Sequence, residues 1–196
     1  MIKELHYKYY VFLDKIDNQI KKNLLKFNNI NIIINIQPND KGNLNTLLNI
    51  IKFSKKNKIP FLLKNSFQKC VQYKANGVFI ESNNKTQIKP SLLKKEFQII
   101  GSVHNQREYF RKLKQNCYTI VLSPLFYTEK YSNNQILNIL KFNQISREWK
   151  VSLCALGGIN FNNIKKTRMI KIKSLAFRKL INEKTCLQFN VGRFKS

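Results

Sequence analysis

Short runs of β-branched and aromatic residues recur along this chain, each followed by a stretch long and amphipathic enough to be a helix. This alternation restricts the fold most, because strands that alternate with helices pair in parallel through right-handed crossovers. The runs predict strands at residues 9–13, 30–36, 60–63, 77–80, 97–101, 119–122, 151–156 and 170–175. The second contains Ile32-Ile33-Ile34, as suits a strand covered on both faces. Helices are expected at 16–27, 44–56, 67–73, 106–115 and 134–145, with helical turns at 90–95 and 159–167 and a last helix after residue 176. Leu44, Leu47, Leu48 and Ile51 form one apolar stripe. Eight such units favour an α/β fold of the closed (β/α)8 TIM-barrel type, a compact single domain, although about 250 residues is the usual size. No Gly-x-Gly-x-x-Gly follows the first strand, which argues against an open dinucleotide-binding sheet. The barrel is assigned to residues 1–182 and a C-terminal tail to 183–196.

Composition narrows the class. No apolar stretch reaches the roughly 18 residues that span a bilayer, and Met1-Ile2-Lys3-Glu4 lacks a signal-peptide core, so a cytoplasmic protein without a membrane partner is expected. The four cysteines are scattered singly, without the paired spacing of a zinc or disulfide framework. The net charge of +26 would attract nucleic acid at low salt. The lysines are nonetheless spread as singles and pairs, and the chain is also rich in Asn, Ile, Phe and Tyr. Compositional drift toward A/T-rich codons accounts for all five residue types, whereas a nucleic-acid footprint accounts only for lysine. A basic barrel that binds RNA stays as an alternative.

In a barrel of this kind the chemistry sits where strands end at the carboxyl face. The residues just past the predicted strands are Asp14, Gln37 and Asn39, Lys64 and Asn65, Glu81 and Ser82, Ser102 and His104, Ser123, Thr128 and Lys130, and Gly157 and Gly158. The set suits proton transfer on a phosphate-bearing substrate better than redox or thiol chemistry. In Leu153–Asn160 an apolar run stops at Gly157-Gly158, where side-chain-free backbone lets an anion approach its N–H groups; a plain tight turn would look the same. His104 follows a strand and is a candidate proton shuttle, or else a loop histidine beside a helix start. His6 precedes the first strand and is expected at the surface. The segment from Ser123 to Lys130 offers hydroxyl and ammonium donors suited to phosphate oxygens, or is an exposed polar loop.

Four ordered motifs carry a family resemblance: Ala75-Asn76-Gly77-Val78, Ile100-Gly101-Ser102-Val103-His104-Asn105, Leu122-Ser123-Pro124-Leu125-Phe126-Tyr127-Thr128 and Ala155-Leu156-Gly157-Gly158-Ile159. Together they resemble the thiamine-phosphate synthase/TenI family over roughly residues 9–181, more strongly in the second half. The resemblance implies a (β/α)8 barrel of thiamine biosynthesis. Synthase members couple a pyrimidine pyrophosphate to a thiazole phosphate with Mg2+ assisting pyrophosphate departure; TenI members tautomerise the thiazole phosphate with a Ser-Val-His histidine. On that basis Gly157 and Gly158 would hold the thiazole phosphate, Thr128 would contact pyrophosphate, and His104 would be the acid/base. Lys130 lies one residue off the family's phosphate-contacting lysine.

The departures are specific. Asn35-Ile36-Gln37-Pro38-Asn39 lacks the two basic residues of the synthase motif, and Lys64-Asn65-Ser66 lacks the metal-binding aspartate. Gly77-Val78-Phe79-Ile80-Glu81-Ser82-Asn83-Asn84 lacks the second metal carboxylate, so Mg2+ is implied by resemblance while its usual ligands are absent, and no metal ligand is assigned. Lys64 stands at a strand end where its charge would replace the ion. The expected function is therefore a divergent synthase-type transferase acting on phosphorylated thiazole and pyrimidine substrates. The alternatives are a metal-independent tautomerase using His104 and an inactive basic barrel that binds phosphate ligands or RNA.

Overall fold

The computed structural model describes residues 7–36, 41–87, 96–160 and 162–178. Eight strands run in chain order: β1 (Lys8–Leu13), β2 (Ile30–Ile34), β3 (Phe61–Lys64), β4 (Gly77–Ile80), β5 (Gln98–Val103), β6 (Thr119–Leu122), β7 (Ser152–Leu156) and β8 (Ser174–Phe177). They close as a barrel in which each strand pairs with its neighbours in sequence and β8 returns to β1. All pairings are parallel; Val11 of β1 lies opposite Ile32 of β2 and Phe177 of β8. Among the described residues five α-helices fill connections: α1 (Asn18–Leu24), α2 (Lys41–Lys56), α3 (Phe67–Tyr73), α4 (Gln106–Lys114) and α5 (Asn138–Ser146).

Side chains alternate across each strand, so one set fills the barrel and the other meets the helices. Tyr10, Phe12, Ile33, Leu62, Phe79, Ile100, Val121, Cys154 and Ala176 form the barrel interior. Val11, Ile32, Ile34 and Leu63 face outward and pack with Leu47, Ile50 and Ile51 of α2. This two-sided burial explains why β2 reads as an unbroken isoleucine run. At the amino end the interior turns polar: Gln98 Oε1 accepts from Lys8 Nζ at 2.9 Å and from the Tyr10 hydroxyl at 3.3 Å. Among the described residues no helix is long and apolar enough to cross a membrane.

The closed barrel and the strand–helix order agree with the sequence reading, and β4, β6 and α3 fall on the predicted residues. The last strand does not. Residues 170–175 were expected, but the strand is Ser174–Phe177. Ile170 and Ile172 mimic strand alternation yet are buried in the outer, helix-side cluster. The register of β8 is instead set by Ser174 pairing with both Lys8 and Cys154. The helix expected at 134–145 is a short 3-10 turn (Asn133–Gln135) followed by α5, and the turn expected at 159–167 is a 3-10 helix over Ile164–Met169. The tail at 183–196, the turn at 90–95, His6, Gln37 and Asn39 lie outside the described residues.

Candidate functional site

The carboxyl ends of the strands surround a cavity of about 650 Å3. Its wall brings together Ser102 of β5 and His104 just past it, Ser123, Thr128 and Lys130 from the segment after β6, and Gly157 and Gly158 just past β7. Of the strand-end residues marked by sequence these seven share one cavity with Glu81 and Ser82, whereas Asp14, Lys64 and Asn65 are absent from its wall. Lys64 Nζ lies 2.8 Å from Oε1 of the wall residue Glu81 in a partly buried ion pair.

His104 is held from two sides. Its backbone N–H donates to Glu108 Oε2 at 2.7 Å. Glu108 is placed by α4, whose N-cap Asn105 accepts from the Glu108 amide at 2.9 Å. The ring Nδ1 lies 2.7 Å from the Ser123 carbonyl oxygen. A carbonyl only accepts, so Nδ1 carries the hydrogen and Nε2 is the basic nitrogen of the neutral ring. Tyr131 flanks the imidazole at 5.7 Å between ring centroids.

The glycine pair serves a second purpose that the sequence did not disclose. Gly157 has φ 103° and Gly158 φ 65°, left-handed conformations that side chains resist. A Cβ on Gly158 would stand 2.3 Å from the Tyr127 carbonyl oxygen, and one on Gly157 would stand 2.8 Å from Pro124 Cα. The segment after β6 lies directly across the end of β7, with the Leu125 amide bonded to Leu156 O and the Phe126 amide to Gly157 O. Side-chain-free residues are what let these two backbones meet. Among the described residues the Gly158 and Ile159 amides have no protein acceptor, and Gly158 faces the cavity. On the same wall the Thr128 hydroxyl is buried without a hydrogen-bond partner. A buried orphan of this kind costs free energy unless a ligand satisfies it.

Several wall residues escaped the sequence reading. Arg178, just past β8, lies on the wall with its guanidinium 5.4 Å from the centre of the Phe12 ring. It was missed because the predicted β8 ended three residues earlier. Phe12 and Phe79 lie inside predicted strands and Tyr131 one residue past the marked segment; only ring closure brings them to one rim.

Opposite the glycine corner, the segment after β4 contributes Glu81, Ser82 and Asn83 to the wall. It is braced from beneath by α4. The fully buried Lys112 donates through Nζ to Glu81 O at 2.6 Å, Asn84 O at 3.0 Å and Gln115 Oε1 at 2.9 Å. Arg111 Nη1 donates to Ser82 O at 3.2 Å. Burial lowers the Lys112 pKa from 10.5 to about 8. The residues here do not fit a divalent ion. Among the described residues no group of three His, Cys, Asp or Glu side chains converges, and both Glu81 carboxylate oxygens are already engaged, by Lys64 and by Asn65.

A family model described as thiamine monophosphate synthase matches residues 30–181. A thiamine-phosphate synthase of Prochlorococcus marinus subsp. pastoris is 28% identical over 139 residues, which is 70% of this chain and 40% of that protein. Another Prochlorococcus marinus thiamine-phosphate synthase is 35% identical over 80 residues, 40% of this chain and 23% of that protein. The chain therefore spans less than half the length of these curated relatives. In fold it is similar to a thiamine phosphate pyrophosphorylase from Pyrococcus furiosus, with a TM-score of 0.69 at 14% identity over 93% of this chain and 91% of that one. It is also similar to KGPDC from Streptococcus mutans, with a TM-score of 0.59 at 8% identity over 92% of each chain. With most of its length matched by the family model, the chain belongs to the thiamine monophosphate synthase family.

Proposed function

We propose that this protein is a transferase of thiamine biosynthesis that couples a pyrimidine pyrophosphate to a thiazole phosphate in the carboxyl-end cavity. The carrying observation is the orphaned Thr128 hydroxyl, buried on the same wall as the Gly157-Gly158 corner. It is an unspent hydrogen-bonding group where a ligand oxygen would lie, beside backbone open enough for an anion. Loops after the seventh and eighth strands commonly hold phosphate in such barrels. In the coupling, the thiazole nitrogen attacks the pyrimidine methylene carbon as the bond from that carbon to the pyrophosphate oxygen breaks. The leaving group takes the electron pair, and Thr128, Lys130 and Arg178 supply donors and positive charge to hold it. The cavity positions both partners and keeps their reacting atoms aligned.

A second reading rests on His104. Its Nδ1–H···O bond to Ser123 leaves Nε2 able to take a proton and return it, as tautomerisation of the thiazole phosphate requires. Two assays separate the readings: formation of thiamine phosphate from both substrates, and isomerisation of the thiazole phosphate alone. Coupling that survives His104→Ala supports the first reading. Isomerisation without coupling, abolished by the same substitution, replaces it with the second, and a protein inert in both assays refutes both enzyme readings.

A further inference from the structure

We infer that this cavity takes its phosphorylated ligands without a divalent cation, because lysine ammonium groups already occupy the oxygen donors at the β3 and β4 strand ends. The ligand's identity rests on the coupling reading; the inference about the wall rests on geometry alone.

Mg2+ requires near-octahedral oxygen ligation and is usually anchored by one or two carboxylates. The carboxylate suitably placed at these strand ends is Glu81. Its Oε1 is bound to Lys64 Nζ at 2.8 Å, its Oε2 accepts from Asn65 Nδ2 at 2.7 Å, and its own amide donates to Asn65 Oδ1 at 2.9 Å. A cation entering here would displace Lys64, whose side chain is only 15% exposed, and leave its ammonium unpaired in a poorly solvated place. The neutral oxygens of the same segment are taken as well. Lys112 Nζ binds the carbonyls of Glu81 and Asn84 and the side-chain oxygen of Gln115. Its three donors thus do for the wall what an ion's coordination shell would do.

The barrel is shaped to admit this brace. Gly101 lies inside β5, and a Cβ there would stand 2.7 Å from Lys112 Cδ and 2.9 Å from Cγ. The missing side chain is the passage through which the lysine stem reaches the segment after β4. Lys112 is thereby a positioning residue for the wall, and Lys64 holds the Glu81 carboxylate against it.

The test has three arms on the full chain. Electron paramagnetic resonance of free Mn2+ is measured against protein alone. No site tighter than about 1 mM is expected, since the Glu81 carboxylate and the Glu81 and Asn84 carbonyls are spent and Glu129 by itself is too few ligands, and a tighter one overturns the inference. Inorganic pyrophosphate is titrated calorimetrically in EDTA and in MgCl2. Equal affinity within about threefold supports the inference, and tightening by about tenfold or more with Mg2+ refutes it. If pyrophosphate binds in neither buffer, the coupling reading fails while the manganese arm still decides the metal question. Hydrogen exchange of amides 82–86 is then compared between the wild type, Lys112→Met and Lys64→Met. Exchange faster by about tenfold or more in Lys112→Met is expected, and an unchanged rate shows the brace to be idle. If Lys112→Met does not fold, Lys64→Met tests the same wall through the Glu81 ion pair: acceleration supports the inference and an unchanged rate refutes it.

Discussion

Thr128 and Gly158 carry opposite expectations for stability on substitution. The Thr128 hydroxyl is buried without a partner, so removing it relieves the protein of an unsatisfied group. Thr128→Val is therefore expected to raise the urea midpoint or leave it unchanged while weakening pyrophosphate binding by about tenfold, one lost charge-assisted hydrogen bond. Calorimetry and a denaturation curve on the same preparation check both halves. Gly158→Ala should do the reverse first: with φ at 65° and its Cβ 2.3 Å from Tyr127 O, it pushes the β6 segment off the end of β7. A loss of about 1–3 kcal/mol in unfolding free energy is expected, accompanied by loss of thiazole phosphate binding. Full stability in this variant would show that the two backbones do not meet as described.

Among the elements, α4 does most to shape the site. Its N-cap Asn105 holds Glu108, Glu108 holds the His104 backbone, and Lys112 and Arg111 one turn on hold the wall after β4. Asn105→Ala should cost about 1 kcal/mol of stability from the cap alone. In the isomerisation assay it should also lower kcat more than it raises KM, since it loosens the imidazole that this second reading uses as base and not the ligand's anchors. A pure stability change with unaltered kcat would detach the cap from the imidazole. The start of this helix was legible because Asn105 and Glu108 sit three apart before an amphipathic run, the usual signature of a helix start. The brace was not legible, because Lys112 reads in sequence as one more lysine on a solvated face. Only the approach of α4 to the glycine gap in β5 buries it. β8 was misplaced for a related reason: Ile170 and Ile172 carry strand periodicity, but pairing with β1 and β7 selects the residues around Leu175. Arg178 was lost to view with that shift.

For the whole molecule, buried thiols make stability depend on alkaline pH. Cys70, Cys117 and Cys154 are buried, and desolvation raises each from 9.0 to about 12. The folded chain keeps these protons while the unfolded chain loses them, so their contribution is complete below pH 9 and is lost as pH climbs toward 12. Lys112 has the opposite sign: lowered to about 8 from 10.5, it makes the unfolded state the better proton binder in that window, so its contribution to stability rises there. Comparing Cys154→Ala with wild type cancels the lysine. The variant should lose about 1 kcal/mol less unfolding free energy between pH 7 and pH 10, read from urea midpoints. Parallel slopes would mean that this thiol titrates normally.

The alternation of apolar runs with amphipathic stretches determined by itself that the chain is a parallel barrel, because strand and helix periodicities are local and burial on both faces leaves unbroken runs such as Ile32-Ile33-Ile34. It also marked His104, Thr128 and the glycine pair, since residues that end strands announce themselves by where the runs stop. The tertiary structure decided which charges face the cavity. Lys64 turns inward to Glu81, Lys112 disappears beneath the wall, and Arg178 emerges on it. Those outcomes depend on register and on contacts between residues far apart in the chain, and no local pattern encodes which of many lysines will find a partner once the ring is closed.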